Sequence, residues 1–192
     1  MSNTLNTKEI LKANGIKESD INLFFDLVDK SLKYDDFFNC ATQQEEFLKL
    51  CYMQSKEKRV TFSKIITALE MYFYNDNQEF NKMHWSEGGI IEGGDDAFYD
   101  DFACWLIFRG IEVLDNFLKN GAKYLIDYIK SLNISNDELT YENFRYHIDA
   151  DYEDIDVESF KKFSELETEE LESTKNSIDL LLRLRKKALN SF

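Results

Sequence analysis

Apolar residues recur at helical spacing along most of this chain. Near the N-terminus they lie three or four residues apart, at Ile21, Phe24, Phe25, Val28 and Leu32. This spacing places them on one face of an amphipathic helix, and Ser19 or Asp20 lies where a side chain can cap the first free N–H groups. We therefore predict a helix here with its apolar face in the core.

Two further apolar stripes predict a second and a third helix. The second contains Phe47, Leu48 and Cys51, with an extension toward Phe37 and Phe38. The third is more regular and consists of Phe62, Ile65, Ile66, Leu69, Tyr72 and Phe73. Asn75-Asp76-Asn77 follows it with turn-forming residues, so we predict that this helix ends there.

The middle of the chain combines a glycine-rich stretch with an aromatic one. Four of the seven glycines lie between Trp85 and Gly94, which predicts a loop across the surface. The strongest apolar face of the chain follows, with Phe98, Phe102, Trp105, Leu106, Val113 and Phe117. We expect this face to be buried.

The last third continues in helical periodicity. Asn120-Gly121 is a predicted break before a helix with Tyr124, Leu125, Tyr128, Ile129 and Leu132, and a shorter helix includes Tyr141, Phe144 and Ile148. A long helix is predicted at about 164–189, because acids at its start and bases at its end, Arg183 to Lys187, complement the helix dipole.

These patterns predict an all-α fold: a single compact multi-helix domain over 1–192, with a disordered 1–6. The chain has no proline and few runs in which polar and apolar residues alternate, which argues against a substantial sheet. Cys40, Cys51 and Cys104 are odd in number and widely spaced, so we expect reduced, buried thiols with no disulfide and no zinc site.

Charge narrows the classes of partner. The formal net charge is −14, from 37 acids and 23 bases, so nucleic acid and anionic lipid would be repelled and a basic protein attracted. The N-terminus has no basic segment followed by an apolar run, and no stretch of about 18 apolar residues occurs. We therefore predict a cytoplasmic protein that inserts into no membrane.

Two acidic clusters are the candidate binding residues. The first follows Gly93-Gly94 and consists of Asp95, Asp96, Asp100 and Asp101, whose carboxylates suit a helix N-terminus, a hard cation or a partner arginine. The second consists of Asp149, Asp151, Glu153, Asp154, Asp156 and Glu158. It is not an EF-hand, because Asp154 replaces the turn glycine and Phe160 replaces the bidentate acid. We predict that both clusters contact a partner.

Catalytic signatures are absent from the sequence. It contains no nucleophile elbow, phosphate-binding loop, zinc-protease motif or dinucleotide fingerprint. His84 and His147 stand without an evident nucleophile, and packing or surface roles are expected for both. Arg109 is expected to pair with a loop carboxylate, and Gly110 to let another helix approach closely. No cofactor or metal is predicted.

One family resemblance emerges from the aromatic segment. The run Ile91-Glu92-Gly93-Gly94-Asp95-Asp96-Ala97-Phe98, continued by Phe102, Trp105-Leu106-Ile107 and Gly110, resembles the signature of bacterial domain-of-unknown-function family 4240. That signature is Gly-Gly-x-Ser-Asp-Asp-x-Phe followed by Phe-x-x-Trp-Leu-Ile-x-x-Gly, so the spacer is shorter here. The likeness covers about 21–149, and Phe24-Phe25-Asp26-Leu27-Val28 is similar to the family's N-terminal helix. It implies a small, mostly helical cytosolic bacterial domain with no established reaction.

Small acidic domains of this sort resemble the immunity partners of bacterial toxins. The first hypothesis is therefore a non-enzymatic, immunity or antitoxin-like protein that binds a basic toxin. An alternative is a nucleic-acid mimic that inhibits a DNA-binding protein, with acids arrayed along one elongated face. A third is a metal-dependent enzyme using Asp95, Asp96, Asp100 and Asp101.

Overall fold

The computed structural model describes residues 5–34, 40–92, 97–133 and Ile148, which all fall within one compact unit, Met1–Ala150. The fold is all-α, as predicted. The α-helices of the described residues are α1 Thr7–Ala13, α2 Glu18–Ser31, α3 Cys40–Tyr52, α4 Lys56–Asp76, α5 Gln78–Asn81, α6 Ala103–Ile107 and α7 Ile111–Leu132. Short 3₁₀ turns lie at Leu32–Tyr34 and Trp85–Glu87, and a π-helical turn at Ala97–Phe102.

Helix α1 was not predicted, because its seven residues carry too short an apolar stripe. Its sequence nevertheless contains a start signal: the Asn6 side chain accepts from the Glu9 N–H at 3.0 Å, and the Glu9 carboxylate accepts from the Asn6 N–H at 2.9 Å. Ile10 and Leu11 are buried. The Thr7 N–H also donates to Asp115 Oδ1 at 2.8 Å, which connects the N-terminus of α1 to the beginning of α7.

Helix α2 is confirmed, but the predicted caps are wrong. The N-cap is Lys17, whose side chain makes no capping bond, so Ser19 and Asp20 lie inside the first turn. Asp20 is buried and its carboxylate accepts from the Lys58 ammonium of α4. A carboxylate held by an ion pair to another helix is unavailable to its own helix terminus.

The apolar faces of α2, α3 and α4 meet in an aromatic core. The Phe24 ring lies at its centre, with ring centroids 5.6 Å from Phe47, 5.7 Å from Phe62 and 6.2 Å from Phe108. These rings are fully buried, which confirms the predicted second and third helices. Helix α4 ends at Asp76 as predicted. The proposed extension through Phe37 and Phe38 lies outside the described residues.

The strongest apolar stretch is confirmed as buried, although it is divided among several elements. It starts in the π-helical turn, continues in α6 and is interrupted at Gly110, where φ is +89°. Because glycine has no Cβ, it adopts this left-handed backbone readily. Phe98, Phe102, Trp105 and Phe117 are all at most 1% exposed, whereas Val113 is only partly buried.

Helix α7 contains the predicted break. Gly121 has φ +73° and ψ −166°, so two helical halves meet there. Glu79 of α5 supplies the missing acceptor, since its Oε2 accepts from the Ala122 N–H at 3.0 Å. Lys82 in turn donates to the other oxygen of that carboxylate.

Several predicted elements fall wholly or partly on residues outside the described ranges. Tyr141 and Phe144 of the shorter helix, the long helix at about 164–189 and residues 1–4 of the predicted disordered 1–6 lie outside the described residues. Ile148 is helical and buried. The single domain over 1–192 therefore stays a prediction.

Candidate protein-interaction surface

Two exposed aromatic side chains are connected through a series of ring contacts. Tyr74, at the end of α4, is 56% exposed and Trp85 is 60% exposed. Tyr99 and His84 lie between them in the network of ring contacts and are partly buried. We call these four residues, Tyr74, His84, Trp85 and Tyr99, the aromatic surface.

The tyrosine half of the aromatic surface rests on the core. The Tyr99 ring lies 4.6 Å from the Tyr74 ring in an edge-to-face arrangement and 5.0 Å from the buried Phe98 ring. Its hydroxyl donates to Asn81 Oδ1 at 3.0 Å. These contacts hold both tyrosine rings in place before any partner arrives, which lowers the entropy lost on binding.

The tryptophan half is positioned by a compact loop. The Trp85 N–H donates to the Ile91 carbonyl and the Ile91 N–H donates to the Met83 carbonyl, both at 3.0 Å. Gly89 is required inside this loop, because a Cβ there would lie 2.0 Å from the Met83 carbonyl oxygen. His84 anchors the loop to the core, with its ring 4.8 Å from the Phe98 ring.

Exposed acids flank the aromatic surface in the sequence. Glu87 belongs to the same 3₁₀ turn as Trp85, Glu92 follows the hydrogen-bonded Ile91, and Asp100 follows Tyr99. All three acids are exposed. We call Glu87, Glu92 and Asp100 the acidic rim. Exposed aromatic rings bordered by negative charge suit a partner that offers both apolar area and positive charge.

Of the predicted binding residues, the structure describes Asp100 and Asp101. Asp100 is exposed on the π-helical turn beside the aromatic surface, and Asp101 is partly buried. The others lie outside the described residues: Asp95, Asp96, Asp149, Asp151, Glu153, Asp154, Asp156 and Glu158. Their role in partner binding stays a prediction.

Sequence reasoning missed the aromatic residues of the site and two of its three rim acids, Glu87 and Glu92. It assigned the aromatic residues to the core and gave His84 a packing or surface role. Tyr74 carried a usable signal, because it falls outside the three- and four-residue spacing that leads from Phe62 to Phe73. Trp85 carried another, since it stands among polar and glycine residues.

A separate group of acids lies where α2 meets α7. Burial raises the pKa of Asp29, and the nearby charges of Asp26 and Glu112 raise it further. Among the described residues, no group of three or more His, Cys, Asp or Glu side chains is placed to hold a metal ion.

Arg109 and Gly110 belong to the interior of the fold. Arg109 is 4% exposed, donates to Gln43 Oε1 and stacks with its guanidinium 5.1 Å from the Trp105 ring centroid. Its predicted bond to a loop carboxylate is not among these contacts and stays a prediction. A Cβ at Gly110 would lie 2.9 Å from Asp29 Oδ1, which confirms the predicted close approach of another helix.

The described cysteines match the expectation for their environment. Cys51 and Cys104 are free and buried. Burial strongly raises the pKa of the Cys51 thiol, so its reactive thiolate is rare at neutral pH. The side chain of Cys40 and all of His147 lie outside the described residues.

Comparisons with protein-family models, with curated proteins and with solved structures found no match to this chain. Within the described ranges, none of the helices has the length and apolar character needed to cross a bilayer.

Proposed function

We propose that this chain is a non-enzymatic, acidic protein-binding domain of the immunity or antitoxin type, which neutralises a basic bacterial toxin in the cytoplasm. The observation that carries the proposal is the aromatic surface with its acidic rim, on a chain of net charge −14. The resemblance of residues 91–110 to family 4240 supports a bacterial cytosolic setting by analogy.

Charge and aromatic area have different tasks in this proposal. Opposite charge on two proteins raises their association rate by about ten- to a thousandfold, whereas each exposed ion pair adds only about 0 to 1 kcal/mol. Lasting inhibition therefore needs anchors that leave water, and tryptophan and tyrosine are the side chains that most often supply them. Trp85 and Tyr74 are exposed side chains of this kind. They favour a complex held by aromatic anchors over a nucleic-acid mimic, which would need an elongated array of carboxylates.

The test is protection against the product of a neighbouring toxin-like gene. Coexpression of the full chain with that product is expected to restore growth, and the two proteins are expected to copurify. Trp85→Ala should weaken the complex mainly through faster dissociation, since the anchor acts after encounter. Added salt should instead slow the association rate of the unmodified chain.

Met53→Ala is the matched control, because Met53 is 80% exposed, directly follows α3 and belongs to neither the aromatic surface nor the acidic rim. It should protect as well as the unmodified chain. Failure to bind or to protect against every adjacent toxin-like protein would refute the proposed function.

A further inference from the structure

The chemistry of the aromatic surface narrows what the partner presents to it. Trp85 contacts the His84 ring at 6.1 Å between centroids, yet 60% of the tryptophan remains exposed. Three kinds of occupant suit such a ring: an apolar side chain, a second copy of this chain, or a cation stacked on its face.

Charge disfavours the second copy. Two copies meeting through the aromatic surface would bring two acidic rims together, each with Glu87, Glu92 and Asp100, between molecules of net charge −14. Like charges placed opposite each other across an interface oppose association and slow encounter. A partner of opposite charge gains from the same arrangement.

The rim also favours a cation over a purely apolar side chain. Glu87 lies two residues after Trp85 in the same 3₁₀ turn. Glu92 directly follows Ile91, whose carbonyl accepts from the Trp85 N–H. A guanidinium suits both the exposed ring and the acids, because its flat face stacks on an aromatic ring while its edge donates paired hydrogen bonds to a carboxylate. An ammonium is more strongly hydrated and offers no flat face.

We propose that the aromatic surface is an arginine-recognition site, at which an arginine-rich segment of the partner stacks on Trp85 and Tyr74 and is paired by Glu87, Glu92 and Asp100. This inference rests on the proposed function, since it names the chemistry that the basic partner contributes. The chain uses the same contact internally, where Arg59 lies 5.9 Å from the Tyr52 ring centroid.

The experiment uses the full chain and three peptides that differ in one side chain. An arginine–glycine peptide is compared with its lysine counterpart and with its citrulline counterpart, which keeps the planar shape of arginine and loses the charge. Binding is followed by calorimetry and by tryptophan fluorescence. A change in fluorescence on peptide binding is assigned to Trp85, since the other tryptophan, Trp105, is only 1% exposed.

Four results are expected. The arginine peptide binds, the lysine peptide binds about threefold more weakly, and the citrulline peptide binds more weakly by a factor of about ten or more. Trp85→Ala weakens arginine binding about tenfold and removes most of the preference over lysine. Glu87→Gln and Glu92→Gln each weaken arginine binding while the fluorescence of Trp85 remains. Asp127→Asn removes an exposed acid on α7 and serves as the control. It should change arginine binding only by the small effect of one lost negative charge.

Three results would overturn the inference. Equal binding of the citrulline peptide would show that the surface does not recognise the positive charge of arginine. An unchanged arginine preference in Trp85→Ala would show that the ring is not used. Absence of arginine-peptide binding to the full chain would show that the surface does not recognise arginine.

The two proposals fail separately. If a toxin complex forms and depends on Trp85 while the peptides show no arginine preference, the arginine inference is wrong and the proposed function stands. If the peptides bind as expected and no neighbouring toxin-like protein is bound, the recognition chemistry stands and the immunity function is wrong.

Discussion

Replacing Gly121 with alanine tests how α7 is held together. At φ +73° and ψ −166° Gly121 occupies a region of backbone space that is essentially restricted to glycine. A Cβ there would also lie 2.5 Å from Glu79 Oε2, the oxygen that caps the second half of the helix. The substitution therefore combines backbone strain with displacement of a charged cap.

The expected loss of stability follows from these two parts. Holding a non-glycine residue in such a conformation costs about 1 to 3 kcal/mol. Loss of a side-chain cap costs about 1 kcal/mol. Gly121→Ala should therefore lower the free energy of unfolding by about 2 to 4 kcal/mol, which is a large share of the roughly 5 to 15 kcal/mol typical of a domain.

Urea denaturation followed by circular dichroism measures this loss. Gly15→Ala is the matched control, because Gly15 also has positive φ, +77°, but a Cβ there meets no atom within 4 Å. It should cost about 1 to 2 kcal/mol from backbone strain alone. Glu79→Ala should cost about 1 kcal/mol. In the double variant the two losses should sum to less than the total of the single ones, since no carboxylate remains for the Cβ to meet.

Two outcomes would refute this reasoning. One is a Gly121→Ala variant that loses no more stability than Gly15→Ala. The other is full additivity of Gly121→Ala and Glu79→Ala, which would show that the carboxylate and the glycine do not act through each other.

Three further predictions follow from the described contacts. Hydrogen bonds from the Lys82 ammonium and then from the Ala122 N–H lower the pKa of Glu79 from its ordinary 4.5. The stability that the Glu79 charge contributes is therefore present above pH 4.5 and is lost as the pH falls through the lowered pKa. The stability difference between the unmodified chain and Glu79→Gln, less than about 1 kcal/mol because the carboxylate is half exposed, should therefore vanish in acid, and a difference that persists there would contradict the assignment. Gln43→Leu removes the hydrogen bonds of a buried amide to a backbone carbonyl and to a buried guanidinium, and should cost about 2 to 4 kcal/mol in thermal or urea unfolding, while Gln44→Leu on the same helix should cost far less. In a Cys40→Ser variant, Cys51 and Cys104 should react with a thiol reagent only as fast as the protein opens. Rapid labelling of the native protein would disprove their burial.

Much of the helical architecture could be predicted from local sequence. The three- and four-residue spacing in α2 and α4 predicts both helices, because a helix buries a face only when apolar side chains recur at its own period. The break at Gly121 was also predictable, since glycine tolerates a backbone that other residues avoid. The start of α2 was not: Asp20 has the chemistry of a cap, and only the arrival of Lys58 from another helix decides that it forms an ion pair instead.

The candidate site divides in the same way. The helical class, the excess negative charge and one acid of the rim, Asp100, could be predicted from the chain alone, because composition and periodicity are local properties. The tertiary structure was needed to show that Trp105 is buried while Trp85 is exposed. It also showed that Tyr74 and Tyr99, which are 25 positions apart, pack together. The physical reason is that the burial of a side chain depends on which faces of distant helices meet, and no local spacing contains that information.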